Sequence, residues 1–168
     1  IHNNNALRGG GLYNYAFQGK ANPEIYNVVF ESNTASGSGI ASGGAIFNDG
    51  GNGVSNPIFI NVIIRGNTAT HGGGVLNYAP TENDTCNPIF INTIISGNLA
   101  GSVGGGLRND GLSTGGVCKP SFINCVISGN KASIGGAMSN DGTMTQTKIV
   151  NSIIWNNDAN NSPIIANV

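Results

Sequence analysis

The stretch that decides the fold is Asn56-Pro57-Ile58-Phe59-Ile60-Asn61-Val62-Ile63-Ile64-Arg65-Gly66-Asn67-Thr68-Ala69. Closely similar stretches occupy residues 87–100 and 119–132, and fainter copies occupy residues 22–35 and 146–159. A glycine-rich segment of the type Gly-Gly-Ala-Ile-Phe-Asn precedes each copy. Self-similarity at a period of roughly 20–50 residues is the signature of a repeat architecture. The chain therefore consists of five tandem repeats.

The apolar runs within each repeat are short, rich in β-branched residues and bounded by Gly, Asn or Pro, which is typical of β-strands. No apolar stripe of helical period lasts longer than a turn or two, which excludes helical solenoids. Alignment of the copies gives columns of like residues: Ile25, Phe59, Phe90, Phe122 and Ile149; Phe30, Ile64, Ile95, Ile127 and Ile154; Ala35, Ala69, Ala100, Ala132 and Ala159. Such columns indicate that successive repeats lie directly over one another.

We therefore predict an all-β fold, a right-handed parallel β-helix (β-solenoid) of about five coils with one repeat per coil. At a strand spacing of about 4.8 Å, five coils are about 24 Å tall. Residues 1–168 form a single β-helix domain. We interpret it as a piece of a longer protein, because the chain opens and closes inside the repeat pattern.

Two kinds of column predict what holds the coils together. The aromatic column, with Phe59, Phe90 and Phe122, predicts a continuous core ladder. The asparagine column consists of Asn33, Asn67, Asn98, Asn130 and Asn157. We predict these as left-handed corner residues whose side-chain amides hydrogen-bond up the column. The alanine column predicts an inward corner with little space, and the paired glycines predict tight bends or close backbone approach.

The composition excludes several classes of partner. Only 9% of the residues are charged and the net charge is −1, which leaves no electrostatic footprint for nucleic acid or an anionic membrane. No apolar run has the roughly 20 residues that a membrane-spanning helix needs. Hydrophobic residues make up 39% of the chain, enough for a core. No motif predicts a cofactor.

The alternation of Gly43-Gly44-Ala45-Ile46 with Phe30-Glu31-Ser32-Asn33 resembles the repeats of chlamydial polymorphic outer membrane proteins. The variants Ile64-Arg65-Gly66-Asn67, Ile95-Ser96-Gly97-Asn98 and Ile127-Ser128-Gly129-Asn130 follow the same pattern. Related β-helix repeats occur in large secreted or surface proteins of bacteria. The resemblance covers nearly the whole chain, and it implies export, display at the cell surface and adhesion.

Two of the cysteines fall in one column. Cys86 and Cys118 each stand two residues before a repeat proline, so adjacent coils bring their Cα atoms about 4.8 Å apart. This separation is within the range of a disulfide, and we predict a bond between them, as in an oxidising compartment. The alternative is two free loop thiols. Cys125 replaces Val62 and Thr93 in its column and is predicted to be a small packing residue.

Asp49, Asp110 and Asp141 share another column, each within an Asn-Asp-Gly triplet. Carboxylates one and two coils apart would lie about 5 and 10 Å from each other, near the separations that glycosidases use. Calcium binding is a second functional interpretation. We favour a third, turn stabilisation, because no cluster of His, Lys or Arg accompanies the acids. His2 and His71 are isolated, which argues against a metal site.

Both alternating faces of the segment from Pro57 to Ile64 are apolar. We expect a bend at the Asn61 position to switch which residues face inward. The alternative is an outer aliphatic column, Tyr26, Ile60, Ile91, Ile123 and Val150, covered by a loop or by a neighbouring molecule. Lateral self-association is therefore an open hypothesis.

The sequence predicts a non-catalytic structural or adhesive module of a secreted or cell-surface bacterial protein. Its rigid scaffold would present the variable loops 49–56, 78–87 and 110–119 to a glycan, a protein or a second copy. The alternatives are a subunit of a self-assembling surface filament and a fragment of a polysaccharide lyase or hydrolase.

Overall fold

The computed structural model describes residues 1–38, 42–112, 115–160 and 164–167. These residues form short strands and no helix, so none of them belongs to a helix long and apolar enough to cross a membrane. The chain passes through one strand of each of four sheets and then begins the next coil, and every strand pairs in parallel with its neighbours. The prediction of a parallel β-solenoid of about five coils is confirmed. The right-handed sense of its winding stays a prediction.

We number the sheets in the order in which the chain meets them. Sheet I consists of β1 (Asn5–Ala6), β5 (Thr34–Ala35), β9 (Thr68–His71), β13 (Leu99–Val103), β17 (Lys131–Ala132) and β21 (Asp158–Ala159). Sheet II consists of β2 (Leu12–Tyr15), β6 (Ile46–Asp49), β10 (Val75–Tyr78), β14 (Leu107–Asp110), β18 (Met138–Asp141) and β22 (Ile165–Asn167).

Sheet III consists of β3 (Glu24–Tyr26), β7 (Ile58–Ile60), β11 (Ile89–Ile91), β15 (Ser121–Ile123) and β19 (Lys148–Val150). Sheet IV consists of β4 (Val29–Glu31), β8 (Ile63–Arg65), β12 (Ile94–Ser96), β16 (Val126–Ser128) and β20 (Ile153–Trp155).

The predicted aromatic ladder lies in the core. Phe59, Phe90 and Phe122 are partners in successive strands of sheet III, and all three side chains are fully buried. Their ring centroids are 4.8 and 4.9 Å apart, and the ring planes differ by 6° and 4°. Burial of one such side chain contributes roughly 1.5–3 kcal/mol. The vertical stacking of repeats is confirmed.

The asparagine ladder is also confirmed, with one correction. The side chains of Asn33, Asn67, Asn98 and Asn130 are buried, and each of these amides donates to the side-chain oxygen of the next coil, the last to the half-buried Asn157. The predicted left-handed backbone is wrong for this column, because the chain turns one residue earlier. The positive φ angles belong to Ser32 (54°), Gly66 (62°), Gly97 (61°), Gly129 (64°) and Asn156 (51°). After that turn the asparagine points into the buried interior, where the side chain of the next coil is its hydrogen-bond partner.

A second buried ladder was not predicted. Asn48, Asn77, Asn109, Asn140 and Asn167 occupy equivalent positions of sheet II. Each of the first four donates its side-chain amide to the next at 2.8–2.9 Å. Two polar ladders therefore line the interior together with the aromatic core.

The paired glycines have the two predicted roles. Gly72 adopts a φ of +60°, which marks the tight bend. Gly73 lies so close to the next coil that an added Cβ would stand 2.4 Å from the Gly105 carbonyl oxygen. The alanine column faces inward as predicted, but it lies in the strands of sheet I instead of at a corner, as Ala69 in β9 shows.

The bend that we expected at Asn61 is present, with a φ of +56°. It switches the inward phase, because Phe59 is buried before the bend, and Val62 and Ile64 are buried after it. Ile60, Ile91, Ile123 and Val150 nevertheless lie half-buried on the outer face, and Tyr26 of the same column is exposed. Lateral self-association through this column stays a prediction.

Candidate ligand-binding groove

The outer face of sheet II carries four aromatic side chains, three aspartates and one arginine. Successive side chains of a strand point to opposite faces. In β6, Ile46 and Asn48 point inward to the core and the ladder, so Phe47 and Asp49 point outward. The two outward columns are Tyr13, Phe47, Leu76, Arg108, Ser139 and Ala166, and Tyr15, Asp49, Tyr78, Asp110 and Asp141.

A groove follows these columns along the solenoid axis. Two cavities of about 260 and 540 Å³ meet at Arg108 and Leu112, so they form the two halves of one depression. Its floor comes from one strand position of successive coils, including Phe47 and Leu76. One wall consists of Ser42, His71, Val103 and Ile134, which pair from coil to coil. The opposite wall consists of turn residues Leu112, Gly142 and Thr143. We call this depression the axial groove.

The half of the groove nearest the N-terminus is lined by Phe47, Leu76 and Tyr78, and an array of aromatic rings adjoins it. The rings of Tyr13 and Tyr15 lie 5.6 Å apart with planes within 10°, and the Phe47 ring follows at 5.2 Å from Tyr13. Phe17 and Tyr78 extend the array at 5.7 and 6.0 Å. Tyr13, Tyr15 and Phe17 are 41%, 45% and 57% exposed, whereas Phe47 is buried, so the accessible part of the array is formed by these three rings of the first coil.

The other half is ionic and centres on one guanidinium group. Arg108 contacts Asp110 Oδ2 through Nη2 at 2.9 Å, and it donates from Nε to Asp141 Oδ2 at 2.6 Å. Burial raises the pKa of Asp110, and the Arg108 charge opposes that shift. Because one cation holds two partly buried carboxylates from adjacent coils, the cluster is rigid.

The three aspartates of the predicted column do lie on one face. Gly51 N donates to Asp49 Oδ1 at 2.9 Å, and Leu112 N donates to Asp110 Oδ1 at 3.1 Å. A bond from an Asp side chain to the backbone two residues on is an Asx turn, so the turn interpretation is confirmed for these two. Asp141 instead accepts from Ser139 Oγ at 2.9 Å and from Arg108.

Asp49 has a hydrogen-bond partner, Tyr13, that was not predicted from the sequence. Tyr13 donates its hydroxyl to Asp49 Oδ2 at 2.9 Å. Burial first, and then the bond to Asp49, raise the pKa of Tyr13 to about 12. Arg8 approaches from the other side, with its guanidinium carbon 5.8 Å from the Phe47 ring centroid. The sequence contains a signal for this surface, because Tyr13 and Tyr15 alternate on one face of β2 and Phe17 continues the alternation in the turn that follows.

The histidines remain apart from each other. His71 lines the groove wall, and burial lowers its pKa, so its imidazole is neutral at pH 7. Its Nδ1 atom is buried and has no hydrogen-bond partner among the described residues. His2 lies at the chain terminus beside Asn3. The described residues contain no group of three or more His, Cys, Asp or Glu side chains suited to a metal ion.

The predicted disulfide is absent from the structure, which has all three cysteines as buried free thiols. Cys86 and Cys118 do pack together, in one cluster with Ala79. Each thiol donates to a backbone carbonyl, Cys86 to Asn48 at 3.4 Å and Cys118 to Asn77 at 3.8 Å. Burial first, and then the neighbouring Cys86, raise the pKa of the Cys118 thiol well above its usual value. Cys125 is a core residue, as predicted.

The variable loops are paired with one another in successive coils. Isolated parallel bridges join Lys20 to Val54, Val54 to Thr85 and Thr85 to Val117, so the loops also stack from coil to coil. Asp84 is 1% exposed and accepts from Asn52 N at 2.7 Å and Thr81 N at 2.8 Å. The loops therefore hold one another in place, and presentation of a ligand site by these loops stays a prediction. The outer face of sheet II was not predicted as a candidate site. Ser113 and Thr114 of the third loop lie outside the described residues.

No protein-family model, curated protein or solved structure matches this chain.

Proposed function

We propose that this domain is a non-catalytic binding module of a secreted or cell-surface bacterial protein, and that the axial groove is its adhesive site. The observation that carries the proposal is that five aromatic rings, three carboxylates and two arginines from successive coils lie on or beside the outer face of sheet II. Aromatic and polar side chains that line a concavity together are typical of ligand sites.

The rigidity of the face supports binding over catalysis. The floor residues belong to a six-stranded sheet braced on its inner side by the Asn48 ladder, so the groove is preformed. A preformed site loses little conformational entropy when it binds. The carboxylates that a hydrolase would need are held by Arg108 and by turn backbone. Turns and charge pairing account for them without a reaction.

The proposal is tested by filling the groove. Leu76→Trp adds bulk on the groove floor without removing a polar group. Ser96→Trp adds the same side chain on the outer face of sheet IV in the same coil and is the matched control. Circular dichroism and thermal unfolding verify the fold of both variants.

The readout is adhesion of protein-coated beads to a panel of bacterial and epithelial cells. We expect Leu76→Trp to lower adhesion at least about tenfold, equivalent to roughly 1.4 kcal/mol, while Ser96→Trp adheres like the unmodified protein. Equal adhesion of Leu76→Trp and the unmodified protein contradicts the proposal. So does a lack of adhesion to every cell type.

A further inference from the structure

We infer that the axial groove binds a neutral polysaccharide chain that lies along the solenoid axis. This inference rests on the proposed function and names the chemistry of its ligand. Four properties of the groove carry it: its direction, its aromatic surface, its charge and its lack of a free strand edge.

The direction and length of the groove suit an extended polymer of repeated units. One wall of the groove uses one position in five successive coils, Arg8, Ser42, His71, Val103 and Ile134. At about 4.8 Å per strand these positions span roughly 19 Å along the axis. The rise of one coil is close to the length of one pyranose residue in an extended chain. Successive sugar units therefore meet successive coils.

The aromatic half supplies the contacts that a pyranose ring requires. A sugar ring presents C–H groups that pack on aromatic surfaces and hydroxyl groups around its rim. Tyr13 and Tyr15 offer an accessible, near-parallel pair of rings. The Tyr13 hydroxyl lies at the edge of the same surface. Its proton is donated to Asp49, so its oxygen is the atom that would accept a hydrogen bond from a sugar hydroxyl group.

The charges of the groove favour a neutral ligand over an anionic one. Asp49, Asp110 and Asp141 carry three negative charges against two positive charges from Arg8 and Arg108. Arg108 is already neutralised by two of the acids. His71 adds no charge at pH 7, because burial lowers its pKa. An acidic polysaccharide or a nucleic acid would meet net repulsion here.

The backbone disfavours an extended peptide. Peptides that pair with a sheet need an edge strand whose N–H and C=O groups are free. The groove floor lies on the face of sheet II, where β6, β10, β14 and β18 are each paired on both sides. Recognition must therefore use side chains, and those available are tyrosines, carboxylates and arginines.

The test measures binding of defined oligosaccharides by isothermal titration calorimetry. The probes are neutral oligomers of glucose, xylose, mannose and N-acetylglucosamine, with oligogalacturonate as the anionic comparison. We expect at least one neutral oligomer to bind, with an affinity that rises with chain length until the groove is filled. We expect oligogalacturonate to bind more weakly than that oligomer.

Two matched tyrosines locate the binding. Tyr15 in the aromatic array beside the groove and Tyr26 on sheet III are 45% and 49% exposed, so replacing either leaves the core intact. Tyr15→Ala is expected to weaken the neutral oligomer about tenfold, and Tyr26→Ala is expected to leave its affinity unchanged. Equal affinities of Tyr15→Ala and the unmodified protein overturn the inference. So does the failure of every neutral oligomer to bind, or tighter binding of oligogalacturonate.

Cell adhesion separates this inference from the proposed function. One outcome is that Leu76→Trp abolishes adhesion, while adhesion of the unmodified protein survives periodate oxidation of the cell glycans and is lost after protease treatment. In that case the ligand is a protein. The groove then keeps its adhesive role, and the polysaccharide inference falls. If a neutral oligomer binds in a Tyr15-dependent manner while Leu76→Trp adheres normally, the inference stands and the adhesive function falls.

Discussion

The side-chain oxygen of Asn98 accepts two hydrogen bonds from Asn67, which lies one coil away. Asn98 Oδ1 accepts the backbone N–H of Asn67 at 3.0 Å and the side-chain amide of Asn67 at 2.9 Å. Asn98 in turn donates its amide to Asn130 Oδ1 at 2.9 Å and to the Ile64 carbonyl at 3.0 Å. One side chain therefore satisfies several buried polar groups from two neighbouring coils, and the ladder is a continuous internal brace.

Removal of one ladder side chain should destabilise the solenoid strongly. Asn98→Ala leaves the backbone N–H of Asn67 and the Ile64 carbonyl without these partners, and each unsatisfied buried group costs about 1–3 kcal/mol. We expect a loss of about 3 kcal/mol in the free energy of unfolding, measured by urea denaturation. Asn92→Gly is the control, because Asn92 lies in an exposed ladder and its φ of +50° suits glycine. It should cost less than about 0.5 kcal/mol. Equal losses from both variants would contradict a special role for the buried ladder.

Substitutions at Gly73 and Gly97 distinguish the cost of steric crowding between coils from the cost of a strained backbone. Gly73→Ala places a Cβ 2.4 Å from the Gly105 carbonyl oxygen, so the coils must move apart. We expect it to cost about 3 kcal/mol or more. Gly97→Ala meets no atom within 4 Å but keeps a φ of +61°, so it should cost only about 1–2 kcal/mol. Thermal and urea unfolding measure both. A milder effect at Gly73 than at Gly97 would show that the coils are not packed as closely as described.

The two neighbouring thiols are expected to join under oxidising conditions. Both thiols are buried in the folded protein, so the chain is refolded from denaturant in the presence of oxidised glutathione. This treatment should convert Cys86 and Cys118 to a disulfide, with two protons and two electrons passing to the glutathione disulfide. Thiol titration in denaturant should then fall from three thiols per chain to one. Cys118→Ser should retain two titratable thiols after the same treatment, if glutathione adducts are first excluded by mass spectrometry. A titre that stays at three in the unmodified protein would sink the prediction of a bond between these coils.

The hydroxyl of Tyr13 should report on the Asp49 contact. With a folded pKa of about 12 against an ordinary 10.0, Tyr13 keeps its proton where the unfolded chain loses it. Its contribution to stability is therefore fully present below pH of about 10 and is lost as the pH rises through about 12. Asp49→Asn should lower the pKa of Tyr13, as followed by NMR of the tyrosine rings. Asp110→Asn should leave it unchanged, since Asp110 is not among the groups that shift Tyr13. A Tyr13 pKa that is insensitive to Asp49→Asn would argue against the hydrogen bond.

The fold could be derived from the sequence because its stabilising contacts join like residues at equal positions. Phe59, Phe90 and Phe122 recur at one phase, and direct stacking is the arrangement that buries all three together. The position of the left-handed turn could not be derived in the same way. Gly66 and Asn67 both tolerate a positive φ, and only the coordinates show that Gly66 makes the turn while Asn67 enters the core.

What the sequence by itself determined is the repeat, the parallel stacking, the aromatic core and the asparagine ladder, because these follow from periodicity alone. What only the tertiary structure decided is the axial groove. Tyr13, Asp49 and Arg108 come from three different coils separated by loops of unequal length. They meet because strand register fixes which side chains of sheet II face outward and align, and that register is a property of the assembled coils.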